Sequence, residues 1–409
     1  MKRPAFSVLW AGMPWRLVFA GTMMVWIALA HVPARVDALN YFDPPKRLLW
    51  PVLALVLTLF GSLRENRLGR IAGRLLAGLM AWMLLRTLAR PIPDAELEVV
   101  FIWCLPLVML VAGASLPHHR GRHLLGWFLL ATGGIQAVLM LLQRVGWDPL
   151  FAATTASMAY APGRMIGTIG YHNQAVDCLA LSGAGVLLLF QSPLARIVAL
   201  LPMMAVATAT GNRGGILAFA GAVFVSQWLA IGWHGNWNRS ARWRAIALSV
   251  GILLAGLSAV MLAPLPRARF LEAARGLQGS AAARSRMYMG RIGLDLFRER
   301  PWTGWGAGEY ALQYLDRLGS TLPADKSHDL LQSLVYAREA HNDGIQFAAE
   351  FGLVGLLLLS GIVGIGVWRW VSCRHDDPDA PVMAAYVLVF MTLSSLFSFP
   401  WQTSMAGPL

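Results

Sequence analysis

Charge is scarce in this chain: 13% of its 409 residues are Asp, Glu, Lys or Arg, against 57% hydrophobic residues and a mean hydropathy of +0.55. A soluble domain carries roughly 25% charged and about 45–50% apolar residues, so a water-soluble globule is excluded. Acid is scarcer still, with 21 Asp and Glu against 34 Lys and Arg, which leaves a net charge of +13. That surplus could suit nucleic acid, but it is spread over loops that flank apolar runs, and no aromatic-basic recognition motif accompanies it. Lipid headgroups are the simpler counter-charge, and no nucleic-acid partner is expected. Cysteine is limited to Cys104, Cys178 and Cys373, in two apolar runs and one inner loop, which leaves no outer disulfide framework. No set of His, Cys and carboxylates has zinc-ligand spacing, so neither a metal nor another cofactor is expected. Internal repeats, low-complexity tracts and soluble terminal domains are lacking as well.

Long apolar runs are abundant. A membrane helix needs about 20 mostly apolar residues, and we predict eleven: 16–32, 48–63, 75–91, 97–116, 124–143, 174–191, 195–211, 214–233, 245–264, 345–368 and 380–398. The runs are too long for barrel strands and lack their alternation. The expected class is therefore an all-α polytopic membrane protein, a single membrane domain with one large polar loop at 265–344. Basic residues set its orientation. Arg64, Arg67, Arg70 and Arg74 crowd one short connection, and Arg239, Arg242 and Arg244 another, while connections on the opposite side are poorer in Lys and Arg. By the positive-inside rule the N-terminus is cytoplasmic and the long loop is outside. The A-L-A at Ala28 to Ala30 resembles a signal-peptidase site, but the first span is expected to remain as an anchor. An eleventh span ending near Leu409 puts the C-terminus outside, and a twelfth span is an expectation this count leaves open.

The polar residues gather in a few outer segments. Within the long loop, Ala283 to Phe297 has helical apolar spacing, and R-P-W-T-G-W-G-A-G-E-Y at Arg300 to Tyr310 then breaks it with Pro and alternate glycines. An amphipathic helix at the membrane surface followed by a tight turn is expected. The loop ends in R-E-A-H-N-D-G at Arg338 to Gly344, where His341 meets the next span. Its imidazole, with a reference pKa of about 6.5, can take a proton near neutral pH; a helix-capping or interfacial histidine would look the same. Arg213, in the tight turn T-G-N-R-G-G, could reach a phosphate through paired charge-assisted hydrogen bonds, or could be a snorkelling membrane-edge arginine. Arg284, Arg286 and Arg291 make a similar offer, and Arg164 completes a possible outer cluster. Asp177 and Glu350 lie inside apparent spans, where a carboxylate must be paired or face water. Asp377 to Asp379 reads as a solvated turn. Gly304 to Gly308 lacks dinucleotide-binding spacing, and Gly352, Gly355, Gly361 and Gly364 are expected to allow close helix packing.

Four segments, G-R-M-I-G-T-I-G-Y-H-N-Q-A, T-G-N-R-G-G-I-L-A, the run from Ser285 to Tyr310, and E-A-H-N-D-G-I-Q-F-A-A-E-F-G-L-V-G-L-L, follow one another between Gly163 and Leu358. In that order they resemble the O-antigen ligase and polymerase family of bacterial membrane glycosyltransferases, which also includes exopolysaccharide polymerases and protein O-oligosaccharyltransferases. The resemblance implies an inner-membrane enzyme that transfers an undecaprenyl-diphosphate-linked glycan to a hydroxyl of a glycan, lipid A-core or protein acceptor, on the periplasmic face and without a metal. It places the family's loop histidine on His341, as base or orienting group. Its mid-chain arginine falls on Arg213 and its long-loop arginine on Arg286, where they would hold the diphosphate. Arg164, His172, Asn173, Arg284, Tyr288, Arg291, Asn342 and Glu350 are the expected substrate contacts around them. The family's usual Ser before the mid-chain arginine is Asn212 here, and its common Pro before Asn173 is His172, which also offers a second base. A transporter of a polar or anionic solute is the rival class. It would place ionisable groups and broken helices near the membrane midplane, whereas these motifs gather at one surface.

Overall fold

The computed structural model describes residues 67–89, 120–148, 165–167, 172–190, 192–233, 281–321, 339–372 and 379–396, with isolated positions such as Val100, Trp103 and Ser398 between them. Among these residues every regular element is a helix: α1 Arg67–Leu88, α2 Arg120–Arg144, α3 His172–Leu189, α4 Pro193–Ala209, α5 Arg213–Trp233, α6 Ala281–Glu299, α7 Glu309–Thr321, α8 Asp343–Ser372 and α9 Asp379–Ser395. The chain is an all-α polytopic membrane protein. Among the described residues four stretches are long and apolar enough to cross a bilayer: Ile71–Leu88, Gly126–Arg144, Arg213–Ala230 and Asp343–Trp368. Two shorter apolar helices, Leu194–Ala209 and Pro381–Ser395, accompany them. The spans expected at 16–32 and 48–63, most of those at 97–116 and 245–264, and Arg164 lie outside the described residues.

The helices pack in two groups. In the first, α3 lies against α2, and α9 against α5, around a core that includes Leu179, Phe219, Val223, Tyr386 and Phe390. The residues of α3 from Ala175 to Leu188 are all buried, as an all-round apolar helix must be. In the second, α8 packs on α1 through Leu79, Met83, Phe347 and Phe351. Trp103 joins this group edge-on to both phenylalanines.

The helix expected over Ala283 to Phe297 is α6. Its buried Met289, Ile292 and Leu296 recur at helical spacing, while Arg291, Leu294 and Arg298 are exposed. That apolar face is covered by protein, chiefly by Tyr310 and Tyr314 of α7, with Ala340 and Ala349 beside them. Tyr310 donates its hydroxyl to the Met289 carbonyl at 3.0 Å, and burial drives its pKa up.

The glycines of α8 do more than ease packing. At Gly352 the helix breaks, with φ 65° and ψ −166°, a combination that is essentially glycine-only. The break frees backbone groups that a bilayer cannot satisfy, and the Pro301 to Gly306 segment satisfies them. Trp305 and Gly306 donate their N–H groups to the carbonyls of Ala349 and Glu350 at 2.9 and 2.8 Å. Leu353 and Val354 donate to those of Pro301 and Trp302 at 2.7 and 3.3 Å. From α1, Trp82 Nε1 reaches the Phe351 carbonyl at 3.0 Å, and Arg86 the Gly304 carbonyl at 2.8 Å. The glycine-rich run that resembles no nucleotide motif is thus a backbone plug for a broken helix.

Candidate active site

Alternation of the helices brings the C-terminal ends of α1, α2, α4 and α9 to the same end of the bundle as the N-terminal ends of α3, α5 and α8. The motifs meet there. Between α4 and α5 the chain turns through Gly211 at φ 74°. Thr210 Oγ1 accepts the Asn212 N–H at 3.1 Å, and Asn212 Oδ1 accepts the Gly215 N–H at 3.2 Å, which makes Asn212 the N-cap of α5. Arg213 is then the first residue of the helix, where the amides of the first turn lack helical partners and favour an anion.

The start of α8 repeats this design. Asn342 Oδ1 accepts the Ile345 N–H at 3.0 Å, and the Asn342 carbonyl accepts the Gln346 N–H at 3.0 Å. In T-G-N-R-G-G the left-handed residue before the capping asparagine is Gly211; in A-H-N-D-G-I it is His341, at φ 52°. Among the described residues His341 is the only non-glycine at positive φ, a conformation that costs of order 1–3 kcal/mol and that the surroundings must impose. The half-buried imidazole is held neutral: burial first, and then the Arg286 guanidinium, lower its pKa from 6.5 to about 4.

Arg286 reaches His341 because of its place on α6. It lies on the face that continues through Gly290 and Gly293, and both glycines sit against Ile345 at the start of α8, where Cβ atoms would stand 3.7 and 2.6 Å from it. Arg284, Tyr288 and Arg291 lie on other faces of that helix. A narrow cleft of about 20 Å³ results, lined by Asn173, Asn212, Gly214, Gly215, Arg286, Ser394 and Ser398. Below it, Ser394 donates to Asp177 Oδ1 at 2.8 Å. A larger, mostly apolar groove of about 240 Å³ opens on the other side of the α9 C-terminus. Asn342, Asp343 and Ser395 stand at its polar end, and Trp103, Phe347 and Leu359 line its apolar length.

Of the residues singled out in the sequence, Asn173 and Arg286 line the cleft and Asn342 lines the groove, whereas Arg213 begins α5 between two lining residues and His341 is linked to Arg286 by its charge. His172 begins α3 next to Asn173, half-buried and outside the cleft lining. Arg284, Tyr288 and Arg291 are not in the lining either. Glu350 is wholly buried, and its two carboxylate oxygens accept from Gln346 Nε2 at 3.1 Å and Trp103 Nε1 at 3.3 Å, so it faces protein donors and lines neither cavity. Sequence reasoning missed Asn212, Gly214, Gly215, Ser394 and Ser398 of the cleft lining. The N-x-G spacing of a cap was the one available signal, because the serines join the cleft only through the packing of α9 on α5 and α3.

The chain is a polytopic helical membrane protein that brings the N-termini of α3, α5 and α8 to one end of the bundle, with Arg286 of α6 in the cleft there. Residues 198–360 match the family model described as O-antigen ligase, so this segment is similar to that family of membrane glycosyltransferases. No curated protein matches the chain. The matched segment supplies Asn212, Gly214, Gly215 and Arg286 to the cleft, while Asn173 of α3, Ser394 of α9 and Ser398 just beyond α9, all outside it, complete the lining.

Proposed function

We propose that the chain transfers a glycan from undecaprenyl diphosphate to an acceptor hydroxyl on the periplasmic face of the bacterial inner membrane. The observation that carries this reading is the cleft that Arg286 shares with the N-terminus of α5, with His341 near enough to Arg286 to be affected by its charge. Given about 20 Å³, a phosphate would seat at the mouth of the cleft, between Arg286 and the N-terminus of α5, with Arg213 of that first turn as a second cation for it. The apolar groove beyond Asn342 suits the isoprenoid chain of such a donor. The acceptor oxygen attacks the anomeric carbon as the bond from that carbon to the diphosphate oxygen breaks. The acceptor proton passes to neutral His341, and the diphosphate leaves with its charge held by the two arginines and without a metal. Attack opposite the leaving group inverts the anomeric centre.

The break in α8 is a feature that transporters share. It lies nine residues from Asp343, about 13 Å along the helix, and loop backbone plugs it, which favours a rigid site over a moving gate. The test is transfer in liposomes loaded with lipid extract from the source bacterium, following loss of the lipid-linked glycan. Wild type should consume it and His341→Ala should not; consumption by neither would bring transport to the front.

A further inference from the structure

A chain of buried hydrogen bonds runs from the interior of α8 to the backbone of the His341 loop. Ala340 donates its N–H to Gln346 Oε1 at 3.0 Å, and Gln346 Nε2 donates to Glu350 Oε1 at 3.1 Å. Trp103 Nε1 holds the other Glu350 oxygen at 3.3 Å. Ala340, Gln346, Glu350 and Trp103 are all buried, at 1%, 4%, 0% and 3% exposure. The direction of the chain matters. An amide side chain can turn either end toward a neighbour; here both Glu350 oxygens accept, one of them from Gln346 Nε2, and that leaves Gln346 Oε1 to accept the Ala340 N–H. Ala340 immediately precedes the residue at φ 52°. On the other side of His341, the Asn342 cap fixes the chain to the first turn of α8. His341 is therefore pinned at both neighbours, and the upstream pin depends on a carboxylate two turns further along the helix.

We propose that Glu350 and Gln346 are positioning residues for His341: the carboxylate orients the amide, the amide holds Ala340, and the pair imposes the left-handed backbone that aims the imidazole at the cleft. This inference rests on the reading of His341 as the group that acts on the acceptor. It makes Glu350 part of the site without substrate contact, and it explains why a buried carboxylate is kept inside an apolar helix, where an unpaired one would be expensive.

The test uses the full chain in liposomes with Glu350→Gln, Gln346→Leu and the double variant, each kept only if it remains monodisperse. Glu350→Gln is nearly isosteric but brings its own N–H donors to a pocket already filled with donors. Expected is a fall in kcat of about 10- to 100-fold for each single variant, as for a misaimed catalytic group, with the donor KM changed by less than about twofold. The double variant should be no worse than the poorer single, because both break one chain. In parallel, the rate at which diethyl pyrocarbonate modifies His341, mapped by mass spectrometry, should change in both single variants. Unaltered kcat and labelling, or losses that multiply in the double variant, would overturn the proposal. If His341→Ala retained activity, the catalytic reading would fall, while the labelling rates would still decide whether Glu350 positions His341.

Discussion

Residue 341 offers a direct way to separate backbone strain from chemistry. In the matching turn before α5 the left-handed position is Gly211, and the two turns share the same asparagine cap. A side chain in that conformation costs roughly 1–2 kcal/mol, whereas glycine gives up about 0.5–1 kcal/mol of chain entropy relative to alanine. Both His341→Gly and His341→Ala remove the imidazole, and only the glycine also removes the strain. His341→Gly should therefore be the more stable of the two by about 0.5–1 kcal/mol, or about 1 °C in melting temperature for a chain of this length. Both should lose transfer. Melting followed by intrinsic tryptophan fluorescence in detergent, alongside glycan consumption in liposomes, measures the two effects on the same preparations. A glycine variant that melts below the alanine variant would refute the strain argument. Wild-type turnover in either would refute the role of the imidazole.

Four further outcomes follow from the same geometry. With the His341 pKa lowered to about 4, the neutral imidazole persists as pH falls through 6.5, so the acid limb of kcat/KM should lie near pH 4; a limb near 6.5 would contradict it. Bound diphosphate would offset the Arg286 charge, so the acid limb of kcat should lie above that of kcat/KM. Arg286→Ala should raise the donor KM and also raise the His341 pKa, since its charge is one of the two causes of the lowering; Arg213→Ala should raise KM with a smaller effect on the pH limb, and unchanged donor turnover in either would count against the diphosphate role. Gly352→Ala puts a Cβ 2.5 Å from the Trp302 carbonyl oxygen at φ 65°, and should destabilise the protein by about 3 kcal/mol or more; a melting temperature equal to wild type would sink the plug reading. A cysteine at Ser320 should be labelled by an impermeant maleimide from the periplasmic side, and labelling from the cytoplasmic side alone would reverse the topology.

The membrane class was legible because composition and run length depend on the bilayer and on no tertiary detail. α2, α3, α4, α5 and α9 each begin and end within four residues of their expected spans. α6 was legible from the spacing of Met289, Ile292 and Leu296, but what covers that face was not: the sequence suggests lipid, and the structure puts Tyr310 and Tyr314 there. His341, Arg213 and Arg286 stood out as chemistry-bearing types at the edges of apolar runs. Ser394 and Ser398 could not, since a serine at the end of a span is ordinary until α9 packs on α3 and α5. Glu350 was legible as a buried carboxylate but not as the far end of a chain to Ala340, because Trp103 is 247 residues away in sequence. The break at Gly352 was hidden by the apolar pattern, which continues through it unchanged.

That break accounts for the otherwise puzzling composition of the long loop. A straight α8 would satisfy its own carbonyls and offer the loop nothing to hold but side chains. By opening at Gly352, the helix presents the carbonyls of Ala349, Glu350 and Phe351 to Trp305, Gly306 and Trp82 respectively. Close approach of backbone to backbone demands glycine on both sides, and a Cβ on Gly304 would collide with the Glu350 carbonyl. The half-helix from Asp343 to Phe351 is thereby fixed to the loop that carries α6, and to α1 through Trp82, while Arg86 of α1 holds the loop itself at Gly304. Arg286 and His341 sit on those two joined pieces. Their separation is set by backbone hydrogen bonds that a bilayer strengthens by offering no competing water, so the site keeps its geometry although its two key side chains come from segments more than fifty residues apart.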